Sequence, residues 1–388
     1  MRFKSIISVL LCLLLLFSLT ACGEKEPSDG ADPSTVTVTD LLGREIELVP
    51  ASFKRVVCIG AGALRMYSYV GDMSLLCGVE DIDNTSLDDR PSMFDDTPRP
   101  YIMAYGEGLT DLPSCGKGGP MAQAAEAEKL LSCEPDIVIS EIEDAEKSDI
   151  LAKQLGVPVI TLRAGADGVF DKSFAESLSL LGRIFGREAR ASALIDYVKT
   201  EQAAIENAVK DIPDGDKPNV YLCGLGNWGT ASHLTTSASY APLRVAGVKN
   251  AVGDIGVTGA TTLEEETFVA LGDKVDLIIL DAAAVKNIGP ALKEDGKLFS
   301  SFSAWEDGEV YLTLAYNAYY TNFEIALINT WYIAKTVYPD LFADLDIKAK
   351  ADEITEKFVG TPLADEMYAL PQSYGGYQQV DVDNFFER

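Results

Sequence analysis

Few side chains in this 388-residue sequence are placed to form a catalytic or metal-binding set. His233 is its only histidine, in the run GNWGTASHL. One histidine can supply an axial ligand to a haem iron, but not a multi-histidine zinc or manganese site. It also leaves Ser–His–Asp chemistry a single candidate. GxSxG and HExxH are absent. The 60 Asp and Glu residues leave glycoside hydrolysis by paired carboxylates conceivable, but no spacing singles out a pair. Binding is the better-supported chemistry. Arg65 falls in the first turns of a helix after the apolar run RVVCIG, where free N–H groups and the helix dipole favour an anion. Its guanidinium could clamp a carboxylate through two hydrogen bonds, or pair with a nearby acid. Lys117, Arg99, Arg163 and Arg244 are weaker candidates of the same kind. Lys117 sits in GKGGP (116–120), which lacks P-loop spacing and either brings backbone close to a ligand or turns the chain. Tyr101, Tyr105, Trp228, Tyr316, Tyr319 and Tyr320 fall in loops or just after strands. Their rings suit a flat or aromatic cargo, and core packing is the alternative for each.

The elements that must position these residues alternate between strand and helix. Val36 to Val49 reads as a hairpin turning near Gly43. Apolar strands at 55–60, 75–79, 136–140 and 157–162 are separated by helical stretches, the last two being Ala122–Ser132 and Ala145–Leu155. A long loop from Glu80 to Pro120 interrupts them, and loops of that length are usually functional or disordered. Residues 171–211 carry apolar side chains at helical spacing, giving one helix and then a longer one of roughly 25 residues, about 37 Å at 1.5 Å per residue. A second strand–helix set follows, with strands at 219–226, 275–282 and 309–313 and helices at 322–337 and 347–358. Short buried strands divided by helices imply parallel sheets covered on both faces. The halves echo each other: an acid-led helix runs into Asp136-Ile-Val-Ile-Ser in one and Asp276-Leu-Ile-Ile-Leu in the other. The expected fold is therefore α/β: two Rossmann-like lobes with mostly parallel central sheets, joined by a single long helix, with a ligand cleft between them. The expected divisions are a signal peptide 1–21, a flexible tether 22–34, a first lobe 35–170, linking helices 171–212, a second lobe 213–360 and a tail 361–388.

The beginning of the chain combines Arg2 and Lys4, an apolar run from Ile6 to Leu19, and Leu19-Thr20-Ala21-Cys22. The run is shorter than the ~20 residues of a spanning helix and reads as a secretory signal. Its end resembles the bacterial lipobox, which would place a lipid on Cys22 and hold the protein on the outer face of the cytoplasmic membrane. A net charge of −28 disfavours nucleic acid and anionic headgroups as partners. Cys58, Cys77, Cys115, Cys133 and Cys223 remain. No CxxC occurs, and a Cys58–Cys77 bridge is possible in an exported protein.

RVVCIG…YSYVGDMSLLCGVED, LPSCGKGGP, AEKLLSCEPDIVISE, FAESLSLLGRIFGREARASALIDYVK, TFVALGDKVDLIILDA and NFEIALINTWYIAKTVYPDLF, in this order, resemble the class III periplasmic-binding-protein family of iron–siderophore, haem and cobalamin uptake. The resemblance covers about Val36 to Gly360. It implies a non-enzymatic, monomeric substrate-binding lipoprotein that delivers a ferric siderophore, haem or corrinoid to an ABC permease and its ATPase, with no cofactor or metal site of its own. It also implies one permease-docking glutamate on each lobe, Glu128 in the first and Glu266 in the second, with Glu264 and Glu265 as alternatives to the latter. A stiff helical linker implies modest closure and a largely pre-formed pocket. An oxyanion such as molybdate or tungstate, suited to Arg65 and the hydroxyls of Thr230, Ser232, Thr235 and Thr236, is the competing cargo. A surface-anchored hydrolase and a sensor or adhesin that borrowed the fold are readings from other classes.

Overall fold

The computed structural model describes residues 34–119, 125–226 and 231–387. Cys22, the signal, Trp228 and Thr230 lie outside the described residues. The hairpin is made by β1 (Val36–Thr39) and β2 (Glu45–Leu48), paired antiparallel around Gly43 at φ 79°. Then β3 (Val56–Ile59), β4 (Leu76–Glu80), β5 (Ser114–Gly116), β6 (Ile137–Ser140) and β7 (Val159–Thr161) form a wholly parallel sheet in the order β5-β4-β3-β6-β7. In the second half, β8 (Asn219–Cys223), β9 (Thr235–Ser237), β10 (Lys249–Asn250), β11 (Ala260–Thr262), β12 (Leu277–Asp281), β13 (Val310–Thr313) and β14 (Gln378–Gln379) follow. Five of them make a sheet in the order β10-β8-β12-β13-β14, parallel except for β14 at one edge, while β9 and β11 form a separate antiparallel pair. The fold is the expected one: α/β, two lobes with mostly parallel sheets.

Strands of only four or five apolar residues hold because both faces are covered. In β3, Val56 and Cys58 face one core while Val57 and Ile59 face another, packed under the helices Ala127–Ser132 and Ala145–Leu155. The first core does not stop at the lobe boundary. It continues through Phe174, Leu178 and Leu181 of the helix Lys172–Phe185, Leu194 and Ile205 of Glu188–Val209, and Phe323 and Ile328 of Phe323–Val337, to Val220 and Leu222 of β8. The linker is therefore the 22-residue helix Glu188–Val209, about 33 Å long, embedded in a core common to both lobes. Such burial resists large relative motion. Among the described residues no helix is long and apolar enough to cross a membrane.

The echo between the halves has a physical basis. Asp136, just before β6, accepts from the N–H groups of Lys54 at 2.7 Å and Arg55 at 3.0 Å. Asp276, just before β12, accepts from the N–H of Asn219 at 2.7 Å. Each aspartate ties down the start of the neighbouring strand, which otherwise leaves a donor without a partner.

Three elements escape periodicity. Ala282–Glu294 is a helix despite Pro290 inside it, and its sequence shows no clean apolar stripe. The segment 361–388, set apart above as a tail, contributes β14 to the second sheet, and Phe385 packs into that lobe's core. The loop 80–120 is held together by a buried Asp83, which accepts from Arg99 and from the Tyr101 hydroxyl, both at 2.8 Å. All five described cysteines are free and buried, Cys58 and Cys77 included.

Candidate functional site

The carboxyl ends of parallel strands are where ligands sit in open α/β sheets, because the connections diverge there and leave a crevice. Here the carboxyl ends of both sheets border one cavity of about 720 Å³. That volume lies in the ordinary range for small-molecule sites. The first lobe contributes Gly60 and Ala61 after β3, and Glu141, Ile142 and Glu143 after β6. The second contributes Leu225 after β8, Ser237 and Ser239 at the end of β9, Tyr240, and the loop after β13.

That loop, 314–322, is the most constrained backbone of the wall. Tyr319 and Tyr320 both hold positive φ, 49° and 79°, which costs a side-chain-bearing residue about 1–3 kcal/mol. Surrounding bonds hold it there. Tyr316 donates its N–H to Asp281 Oδ2 at 3.0 Å. Ala318 donates to the Tyr320 carbonyl at 2.9 Å. The Tyr319 hydroxyl crosses to the first lobe and donates to Glu80 Oε2 at 2.7 Å. The Tyr320 ring lies over the Gly62 backbone, where an added Cβ would come within 2.9 Å of it. Gly62 has φ 98° as well, so only glycine fits there without strain.

Tyr316, Tyr319 and Tyr320 all line the cavity; the other candidates among the described residues do not. Arg65 is fully buried and does not line the cavity. Its guanidinium donates to the Asn322 Oδ1 and, at 2.7 Å, to the Ala318 carbonyl, and it stands 3.7 Å from Glu324 Oε2. Glu324 also accepts from the Tyr69 hydroxyl at 2.7 Å. The anion-clamp reading of Arg65 gives way to a strut between lobes: its two terminal nitrogens are bound to partners contributed by a distant part of the chain, and only the buried Nε has none. Tyr101 is buried against Asp83, with Arg65 stacked 4.6 Å over its ring. Tyr105 donates to the Val359 carbonyl at 2.7 Å, remote from the cavity. Lys117 is exposed, and its neighbour Gly119 reaches the wall and donates to the Tyr319 hydroxyl at 3.2 Å. Arg99 is paired with Asp83, Arg163 with Glu143 and Arg244 with Asp167.

His233 is likewise displaced from the site. It is 8% exposed in the second-lobe core, edge-on to Phe268 and Phe299, with Nε2 3.5 Å from Glu265 Oε1. Burial holds its pKa below the usual imidazole value, against the pull of Glu265. An axial ligand to haem would need this ring in the cavity. The residues that sequence reasoning overlooked are Glu141, Ser237, Ser239 and Tyr240. For Glu141 a signal existed: it is the first residue past the Asp-led strand β6. The β9 serines carried none.

Two buried acids brace the wall. Burial pushes Glu80 up to about 7, against hydrogen bonds from Tyr319 and the Gly60 N–H. Burial does the same to Asp281, again to about 7, against the Tyr316 and Ala283 N–H groups. An acid raised in the folded state stabilises it while protonated. That contribution is full below its ordinary value, 4.5 for Glu80, and is lost as pH rises through about 7. Relative to Glu80→Gln, the wild type is expected to lose a few kcal/mol of stability between pH 4.5 and 7.5, at about 1.4 kcal/mol per pKa unit. Thermal unfolding of both proteins across that window checks it. His233 acts in the opposite sense there, so the difference between the two curves is the readout, and a flat difference rejects the role given to Glu80.

Solved structures share this architecture. The molybdate periplasmic binding protein MolA of Haemophilus influenzae superposes with TM-score 0.63 at 16% identity, covering 84% of this chain and 98% of that one. A periplasmic solute binding protein of Veillonella parvula gives 0.66 at 20% identity, covering 87% and 96%. CeuE of Helicobacter pylori, solved with Ni-His, gives 0.57 at 15%, covering 86% and 98%. No curated protein matches at the sequence level. The family model described as "Periplasmic binding protein" matches residues 109–316, a span that runs from the end of the first-lobe loop, through the linker helix, to Tyr316 on the cavity wall. With both lobes, the shared core and the intervening cavity in place, this chain belongs to the class III periplasmic binding proteins, the substrate-binding components of ABC transporters.

Proposed function

We propose that the protein is a lipid-anchored binding component that captures a metal chelate, such as a ferric siderophore or a corrinoid, and presents it to its ABC permease. The observation that carries this is the cavity of about 720 Å³ with Tyr240, Tyr316, Tyr319 and Tyr320 on one wall. Rigid amphipathic rings give a chelate broad apolar contact with polar edges. The wall suits cargo that brings its own metal ligands, since Glu143 is paired with Arg163 at 2.7 Å and Asp144 caps the helix Ala145–Leu155. Haem is less well served than other chelates, because His233 sits in the second-lobe core. An oxyanion is less well served too, because Glu143 and Asp144 outnumber Lys147 on the first-lobe wall.

A thermal-shift panel of ferric hydroxamates, ferric catecholates, haem, cobalamin, molybdate and tungstate tests the reading. A ligand at 100 times its Kd is expected to add about 2.7 kcal/mol of stability. A shift from molybdate or tungstate alone would overturn the chelate assignment. The anchor rests on Leu19-Thr20-Ala21-Cys22, outside the described residues. Cells expressing the full chain should retain it in the membrane fraction, and Cys22→Ser should release it; equal partitioning of the two would reject the anchor.

A further inference from the structure

The two lobes repeat one design, and the repeat isolates one side chain. DIVISE (136–141) and DLIILD (276–281) both begin with an aspartate that ties down the neighbouring strand. Both end, five residues later, with a buried acid at the carboxyl end of a central strand: Glu141 in the first lobe and Asp281 in the second. Asp281 is fully engaged. Its Oδ1 accepts from the Ala283 N–H at 2.9 Å and its Oδ2 from the Tyr316 N–H at 3.0 Å. Glu141 is 9% exposed, lines the interlobe cavity, and its buried Oε1 has no hydrogen-bond partner. Buried acceptors are almost always paired, and an exception calls for an explanation.

The surroundings do not relieve it. Glu143 is held by Arg163 at 2.7 Å, Asp144 takes the Lys147 N–H at 3.0 Å, and the Lys147 ammonium lies 3.4 Å from Asp144. Facing it from the second lobe is Tyr320. Burial first, then the Glu143 charge, holds the Glu141 carboxyl well above the usual carboxylate range, against the pull of Arg163. Behind it stands Gly60 at the end of β3, whose φ of 86° favours glycine. The carboxyl is thus pressed between strand ends, on a residue that borders the cavity.

We propose that Glu141 is a ligand-binding residue that receives a protonated amine, or another cationic N–H donor, carried by the cargo. On binding, the carboxyl gives up its proton to solvent, and the cationic N–H then supplies the missing hydrogen bond and the opposite charge together, the strongest arrangement for a desolvated carboxylate. The inference rests on the reading that the cavity captures a small molecule, and it narrows that molecule's chemistry: one end of the cargo is cationic. Asp281, the equivalent acid, already has its two donors and has no such part.

The test uses a ferric trihydroxamate ending in a free protonated amine and its N-acetylated, uncharged twin, with the full mature protein. Wild type should prefer the amine about ten- to a hundredfold, the value of a charge-assisted hydrogen bond. Glu141→Gln should bind both alike. Equal affinities for the pair in the wild type, or an undiminished preference in Glu141→Gln, would overturn the proposal. In ligand-free protein, Glu141→Gln should melt no lower than wild type, because it removes a costly group poised for a ligand. Asp281→Ala should melt several degrees lower. A comparable fall for Glu141→Gln would show a structural acid and overturn the proposal. If neither ferric probe binds wild type, the hydroxamate form of the chelate reading falls, and the ligand-free melting comparison still decides Glu141.

Discussion

Replacing Arg65 by alanine is expected to lower the unfolding free energy by about 3–5 kcal/mol, the usual result of breaking a buried ion pair by removing one partner. The Asn322 side chain and the Ala318 carbonyl lose their donor, and Glu324 loses its ion-pair partner at 3.7 Å, all in the second-lobe segment that lies against the helix Ala63–Val70. Glu324 is fully buried, and its Oε1 already lacks a partner, so only the Tyr69 hydroxyl would remain to support its charge. The Tyr101 ring also loses the guanidinium stacked on it, a contact of about 2 kcal/mol when desolvated. Denaturant unfolding with a fitted slope measures the change. Arg65→Lys should recover only part of it, because an ammonium lacks the planar fork that serves the Ala318 and Asn322 oxygens together. Loss of ligand affinity with unchanged stability would restore the clamp reading of Arg65 and reject the strut.

Charge reversal at both Glu128 and Glu266 is expected to abolish uptake in cells while leaving ligand affinity and melting temperature unchanged. Both acids are exposed, each within the first turns of a helix, Ala127–Ser132 and Glu265–Leu271, that feeds a central strand. A helix that precedes a parallel strand runs back along it. Its first turn therefore lies near the strand's carboxyl edge, on the side where the cavity opens. Two carboxylates fixed on a body with a continuous core can set the orientation of docking on a basic membrane surface, and paired charges act mostly on encounter and register. In the second lobe Glu264, Glu265 and Glu266 are all exposed, and Glu265 leans on His233 at 3.5 Å; Glu266 is the acid reversed first. Transport of a labelled cargo by cells carrying single and double reversals is the measurement. Normal transport by the double variant would reject the docking assignment.

What could be read from the chain follows what each feature depends on. The lobes were legible because they rest on local pattern: apolar runs of four or five residues, helical spacing from Phe174 to Ile205, and Asp-led strands repeated in both halves. Burial on both faces writes itself directly into such runs. The helix Ala282–Glu294 was illegible because Pro290 and a weak stripe hide it, and β14 because two residues at a sheet edge carry no period.

The site was legible only in part. Tyr316, Tyr319 and Tyr320 follow a strand, and strand ends point to crevices, so position alone brought them to the wall. Arg65 follows a strand too, yet it is a strut, because Ala318, Asn322 and Glu324 arrive beside it from more than 250 positions along the chain. His233 sits in a loop by sequence and in a core by structure, because Phe268 and Phe299 close over it. The two α/β bodies, the helix between them and the edge on which a ligand must lie follow from local periodicity and from the geometry of parallel strands. Which polar groups there remain available emerges from the folded chain alone. Whether a buried charge already has a partner depends on residues far away in the chain, and that distinguishes Asp281, with both oxygens engaged, from Glu141, with one oxygen unpartnered.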